Sequence, residues 1–201
     1  MERLLAATIS VIGKNGLAGV SIPLIAQAAG LSTGAIYRRF NDKDALIRIA
    51  FQNFLEGTQS QNREALSPER FAQMSFSQTL RVLCQALVRQ YREHPILLKA
   101  LDQFLEGHAD QHYREHMMDI IEANTRCVID LLLIYRDQVT AANPDHAIKF
   151  ALLSAATLIE GKVLNQSALW KRILPLDDDH LAAETASMME IYLTKISRVK
   201  K

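Results

Sequence analysis

The chain has 201 residues, 49% of them hydrophobic, and a net charge of +1, enough apolar material for a sizeable core in one or two compact domains. No apolar run reaches the ~20 residues needed to cross a bilayer, and the apolar stretch from Leu4 to Ile12 is interrupted by Thr8 and Ser10, so neither a membrane span nor a signal peptide is expected and a cytoplasmic protein is. The charge is unevenly placed: residues 1–50 hold six Lys/Arg against three Asp/Glu, while residues 51–201 hold 17 against 19, so a small basic head precedes a slightly acidic body.

The first predicted helix runs from Glu2 to Lys14, with Leu4, Leu5, Thr8, Ile9, Val11 and Ile12 at helical spacing. Gly13 and Gly16 lie near its end, and early fraying is expected there. The stretch from Val20 to Leu46 organises the head. Ser21 is placed to cap a second helix, and Pro23 falls in its first turn, where a missing N–H costs little. Ile25, Ala26 and Ala29 form its inner face, and Ala26 is small enough for another helix to cross closely. Gly30 ends the helix in a left-handed conformation, and Leu31 is expected to plug the turn. Ser32 caps the next helix, Ser32 to Arg39, whose inward residues are Ile36 and Phe40. This spacing is what a helix-turn-helix needs sterically. The outward residues are Thr33, Gly34, Ala35, Tyr37, Arg38 and Arg39. Small groups at a helix start let backbone approach base edges, while Tyr and Arg reach phosphate or guanine. Asp42 caps a fourth helix. Lys43 at its first position is unfavourable for the helix dipole unless a phosphate lies there.

Residues Leu4 to Ala50 resemble the DNA-binding domain of the TetR/AcrR family of transcriptional repressors. The resemblance rests on Leu5, Ala7, Ile9, Gly16-Leu17, Ser21, Ile25-Ala26, Ala29-Gly30-Leu31-Ser32, Gly34, Ile36-Tyr37, Phe40, Lys43 and Leu46. Thr33 stands where relatives often carry lysine. The resemblance implies an all-α fold of about nine helices, with a DNA-binding domain at 1–50 and a helical effector-binding and dimerisation domain at 51–201. It implies a repressor that binds a palindromic double-stranded DNA operator as a homodimer and is released by a small, mostly apolar effector. In that reading Tyr37, Lys43 and Ser21 contact phosphates, and Thr33, Gly34, Ala35 and Arg38 lie nearest the bases. Ser32 and Arg39 complete the DNA face. No cofactor is expected.

The polar segment from Gly57 to Pro68 is expected to mark the domain boundary. Ser67-Pro68-Glu69 signals a helix running to about His94, and Pro95 starts another that Gly107 ends. A long helix is predicted from Asp110 to Gln138. Asn143-Pro144-Asp145 starts a helix that is apolar almost all round from Ala147 to Ile159, and such a helix must be covered on more than one side. A last helix follows Asp177 to Asp179. Homodimer contacts are expected from Phe150, Ser154, Ala155, Leu158, Met188, Met189 and Tyr192. Effector contacts are expected from Tyr91, Gln103, Phe104, Met117, Ile121, Asn124, Val128 and Glu160. Asn124 lies inside an apolar stripe, where its amide must either bond a neighbouring helix or face a polar cavity.

His108, His112 and His116 are spaced four apart and are weak candidates for a metal site. A solvated helix start is the favoured reading, with a metal-responsive regulator as the alternative. Cys84 and Cys127 sit in apolar contexts with nothing basic beside them, as expected of buried thiols. An enzyme is not expected: there is no Gly-rich phosphate loop and no recognisable nucleophile arrangement. An all-helical protein-interaction module and a ligand-independent architectural DNA binder are the remaining classes.

Overall fold

The computed structural model describes residues 1–107, 110–164 and 168–195. Among them are eleven α-helices, one 3-10 helix and no strand. In chain order the helices are α1 (Glu2–Asn15), α2 (Ile22–Ala29), α3 (Thr33–Tyr37), α4 (Lys43–Ala65), α5 (Pro68–Phe71) and α6 (Phe76–Glu93). Then come α7 (Pro95–Gly107), α8 (Gln111–Leu133), α9 (Pro144–Leu164), α10 (Ala168–Ile173) and α11 (Asp178–Lys195), with the 3-10 turn Arg136–Gln138 between α8 and α9. The all-α expectation holds, but the expected nine helices are eleven.

The chain forms two compact units, each made of two stretches of sequence. The first unit is Met1–Asn62 with His94–Asn124; the second is Arg63–Glu93 with Thr125–Lys201. The polar segment from Gly57 to Pro68 does hold a boundary between the units, after Asn62, although α4 runs through it as helix to Ala65.

In the first unit, α1 buries Leu4, Leu5, Thr8, Val11 and Ile12. The buried Thr8 hydroxyl donates to the Leu4 carbonyl at 2.9 Å, which satisfies a group that would otherwise cost free energy. The expected early fraying of α1 does not occur. Gly13 stays helical, and the helix ends only at Gly16, whose φ of 67° is left-handed. Gly19 is needed for a different reason. A Cβ there would sit 2.6 Å from the Asn15 carbonyl oxygen, so the loop to α2 passes α1 closer than any side chain permits. The core joins Ile12, Ile25, Ile36, Leu46, Ile47, Phe51 and Phe104, all fully buried. Phe51 of α4 meets Phe104 of α7 with ring centroids 5.6 Å apart. Arg48 of α4 pairs with Asp110 at the head of α8, and the Tyr113 hydroxyl donates to the Arg48 carbonyl at 2.8 Å.

In the second unit, α6, α9 and α11 enclose a core of Leu80, Cys84, Val88, Ile148, Ala155, Ile159, Met189 and Leu193. The single helix expected from Ser67 to His94 is two, α5 and α6. Ser75 restarts the helix with a reciprocal cap: its N–H donates to the Gln78 side chain at 2.8 Å, and its hydroxyl accepts from the Gln78 N–H at 3.2 Å. The helix expected to reach Gln138 ends at Leu133. Tyr135 then turns inward, its hydroxyl 2.8 Å from that of Thr79 and donating to the Met74 carbonyl at 3.1 Å. Asn143 and Asp177 cap α9 and α11 through the N–H groups of His146 and His180. Arg92 of α6 grips Asp178 with two nitrogens, at 3.0 and 2.8 Å.

Candidate nucleic-acid interface

The helix-turn-helix is built from α2 and α3. Gly30 adopts φ 64° and ψ 39°, and the Leu31 N–H returns to the Ala26 carbonyl at 2.9 Å. That closes α2 with the left-handed cap its sequence calls for. The Ser32 hydroxyl accepts from the Ala35 N–H at 3.2 Å and starts α3. Ile36 is fully buried and Phe40 nearly so. These two side chains fix which face of the short helix points outward. Thr33, Gly34, Tyr37, Arg38 and Arg39 are all exposed, and Ala35 is half-buried. A tyrosine 57% exposed beside two arginines is a surface for an anionic polymer and a poor one for a core.

Three local expectations are corrected. Ser21 stands at the start of α2 in extended conformation, but its side chain makes no capping bond. Its hydroxyl therefore remains for an outside acceptor. Leu31 does not plug the turn; it is 40% exposed, because the Gly30 cap closes the turn with backbone bonds alone. The α-helical part of the expected Ser32–Arg39 helix is Thr33–Tyr37, with Arg38 as its C-terminal cap. Lys43 is the first residue of α4, and Asp42 accepts from the Ala45 N–H at 2.7 Å. The Lys43 ammonium reaches the Val20 carbonyl at 3.5 Å. That long bond holds it beside Ser21 at the entry to α2, so a hydroxyl and an ammonium come together at one helix start.

Five of the expected effector residues fall in the first unit. Phe104 and Met117 are fully buried, packed as core rather than open to a ligand, and Ile121 packs against the same core. Gln103 is exposed. Asn124 has its amide engaged: its NH2 donates to the Leu55 carbonyl at 3.4 Å and the Ile120 carbonyl at 3.2 Å, and its oxygen accepts from Asn62 at 3.2 Å. Of the two roles weighed for this residue, the inter-helix bond is the one observed. Tyr91, Val128 and Glu160 fall in the second unit. Tyr91 is half-buried beside an exposed Glu160, and burial together with that carboxylate pushes its hydroxyl up to about 12.

The expected homodimer residues divide by burial. Ala155 and Met189 are 3% and 2% exposed. They belong to the core of their own unit, because the other faces of α9 and α11 are the ones turned outward. Phe150 is 49% exposed, and Leu158 and Met188 are 40% each; Ser154 and Tyr192 are half-buried. Leu153 and Ile191, at 62% and 50%, join this face and were missed by the sequence reading, though both lie on helices read as apolar on several sides.

His108 lies outside the described residues. His112 and His116 are exposed on α8, and among the described residues no three His, Cys, Asp or Glu side chains are gathered to hold a metal ion. Cys84 is buried and its thiol is pushed up to about 12 by desolvation, which removes it from thiolate chemistry. Cys127 is only half-buried. Among the described residues no helix is long and apolar enough to cross a membrane.

An all-helical protein whose first unit displays a helix-turn-helix with an exposed Thr/Tyr/Arg face falls in the class of helix-turn-helix proteins. Residues 4–49 match the family model for bacterial regulatory proteins of the tetR family. Over a similar stretch the chain is 40% identical across 52 residues to the HTH-type transcriptional regulator BetI of Proteus mirabilis, covering 26% of each chain. It is 36% identical across 55 residues to BetI of Ectopseudomonas mendocina, covering 27% of this chain and 28% of that one. The match thus spans about a quarter of the length of these curated relatives. Similarity of fold extends much further. FadR of Bacillus subtilis, solved in complex with stearoyl-CoA, superposes with a TM-score of 0.66 over 97% of this chain and 98% of its own, at 16% identity. The TetR family regulator PfmR of Thermus thermophilus gives 0.61 over 98% and 100%, at 17% identity. A TetR regulator of Haloarcula marismortui gives 0.64 over 96% of both chains, at 22% identity. Residues 4–49 therefore form a domain of the tetR family type, and the chain as a whole has the fold of the TetR regulators on which it superposes.

Proposed function

We propose that this chain is a DNA-binding transcriptional repressor that acts as a homodimer on a palindromic operator and is released by a small, mostly apolar effector. The observation that carries the reading is the outward face of α3, held by the Gly30 turn, the Ser32 cap and the buried Ile36. Thr33, Gly34, Ala35 and Arg38 meet base edges in the major groove. Tyr37 and Arg39, with Ser21 and Lys43 across the turn, hold phosphates on either side. The DNA-reading role belongs to residues 1–50 and the effector and dimer roles to the rest of the chain. The dimer forms through the outward faces of α9 and α11, around Phe150, Ser154, Leu158, Met188 and Tyr192, and its two-fold axis is what calls for a palindrome. Tyr91, Val128 and Glu160 are the effector contacts this reading retains, with the Tyr91 hydroxyl and Glu160 as its polar end.

The experiment is an operator selection from random duplex DNA with the purified chain, followed by binding to the selected site with Arg38→Ala and Tyr37→Phe. Enrichment of a palindrome is expected, with Arg38→Ala relaxing preference at one base pair by about 1–3 kcal/mol. Absence of any enriched sequence, or full affinity in both variants, refutes the assignment. A thermal-shift screen then tests effectors. Long-chain acyl-CoA thioesters are the first to try, since the similar fold of Bacillus subtilis FadR was solved with stearoyl-CoA. A true effector must also lower operator affinity, because a ligand that binds both forms equally shifts nothing.

A further inference from the structure

The second unit carries an apolar cluster that its own core does not use. Helix α10 and the residue after it hold Leu169, Trp170, Ile173 and Leu174, which are 60%, 56%, 59% and 50% exposed. Four large apolar side chains within six positions, each at least half in water, form a patch rather than scattered surface residues. The short helix is not held by burying these side chains. Its end is held by Lys162 of α9, whose ammonium donates to the Trp170 carbonyl at 3.4 Å and the Leu174 carbonyl at 2.8 Å. The backbone is thereby fixed while the apolar side chains stay outside.

Lys162 also shows where this patch lies. It continues the row Phe150, Ser154, Leu158 along α9, one residue every fourth position and so on one face of the helix. That row is the outward face proposed for the dimer, and Leu158 is one turn from the ammonium that grips α10. The apolar face of α9 therefore runs on into α10.

Area identifies the occupant. Phe150, Leu153, Leu158, Met188 and Ile191 together expose roughly 500 Å², which by itself is no more than the largest patch of an ordinary monomer. An obligate homodimer buries at least about 1,000 Å² per partner, about 65% of it apolar, or roughly 650 Å². Those five side chains fall short of that. The four side chains of α10 add roughly another 500 Å², which brings the total within the obligate range.

We propose that α10 is the outer part of the homodimer interface, and that Trp170 is buried against a second copy of this chain. The proposal rests on the dimer reading given above and adds to it a segment and an anchoring residue. A large aromatic ring at the end of an apolar strip is the kind of residue that carries a disproportionate share of association energy.

Trp170 is the single tryptophan of the chain, so its own emission reports the test. The full-length protein is diluted while its mass is followed by light scattering and its tryptophan emission is recorded at each concentration. The expected result is a dimer with blue-shifted emission that moves to the red in step with dissociation. Trp170→Ala, checked for unchanged helical circular dichroism, is expected to weaken the dimer about 30-fold or more. Leu169→Glu is expected to dissociate the dimer while shifting Trp170 emission to the red, a second route that leaves the reporter in place. A dimer whose tryptophan stays water-exposed, or whose affinity survives both substitutions, overturns the α10 assignment while leaving the dimer standing. A chain that is monomeric at all concentrations overturns the dimer reading and this proposal with it.

Discussion

Lys43→Ala is the sharpest single test of the DNA face, because two consequences can be separated. In the unbound chain the ammonium makes one bond, to the Val20 carbonyl, at the outer limit of hydrogen bonding at 3.5 Å. Asp42 still caps α4 without it. The loss of folding stability should therefore stay within about 0.5 kcal/mol, as for surface substitutions away from special features. On DNA the effect should be larger and of a different kind. Neutralising one phosphate contributes about 0.9 to the slope of log affinity against log salt. Between 50 and 200 mM salt the wild type should thus lose about 3.5-fold more affinity than the variant, so the two curves converge as salt rises. Fluorescence anisotropy on the selected operator at four salt concentrations measures this, with a scrambled duplex alongside. The loss should be equal on both duplexes, since a phosphate contact carries no sequence information. Parallel salt curves would falsify the phosphate assignment, and a loss confined to the operator would move Lys43 to the bases.

Gly30→Ala should destabilise the chain by about 1–2 kcal/mol in urea unfolding, the cost of a left-handed alanine, and Gly30→Asn by less; equal stability of all three would mean that the turn is not left-handed in solution. Asn124→Leu removes both of its donor bonds and strands the Asn62 amide, so it should cost about 1–3 kcal/mol of stability by the same measurement, and a neutral result would return Asn124 to the ligand-binding candidates. At the start of α11, the Asp177 carboxylate raises His180 above its usual 6.5, while the His180 N–H and ring hold Asp177 below its usual 3.8. The contribution of His180 is complete below 6.5 and is lost as pH rises through its raised value; that of Asp177 is complete above 3.8 and is lost as pH falls through its lowered value. Proton NMR of the His180 ring should show its midpoint fall in Asp177→Asn, and an unmoved midpoint would break the pairing.

Much of the head is legible in the sequence because its determinants are local. Ser32, Gly30 and Asp42 act on residues two to four positions away, and the observed turn, caps and inward Ile36 and Phe40 follow from neighbours alone. Gly19 was missed for the complementary reason. Its need comes from the Asn15 carbonyl across a loop, and no pattern of spacing announces it. The break between α5 and α6 was also within reach of local reasoning. Ser75 and Gln78 form a capping pair three residues apart, a weaker local signal than the Ser-Pro-Glu start upstream.

The candidate sites were less legible, and Asn124 shows why. A polar residue on an apolar stripe says that a partner exists, and the sequence offers no means of telling a ligand from a neighbouring helix. The deciding groups are Asn62 and the Leu55 carbonyl, 62 and 69 positions away. The same limit applied to α9 and α11. Periodicity showed these helices to be apolar on more than one side, but not which side their own core would take. Once Ala155 and Met189 are assigned to that core, what remains outside is Phe150, Leu153, Leu158, Met188 and Ile191. Burial within the chain is therefore what defines the surface left for a second copy. Residues apolar by sequence but exposed by structure carry the information about association, and Trp170 is the largest of them.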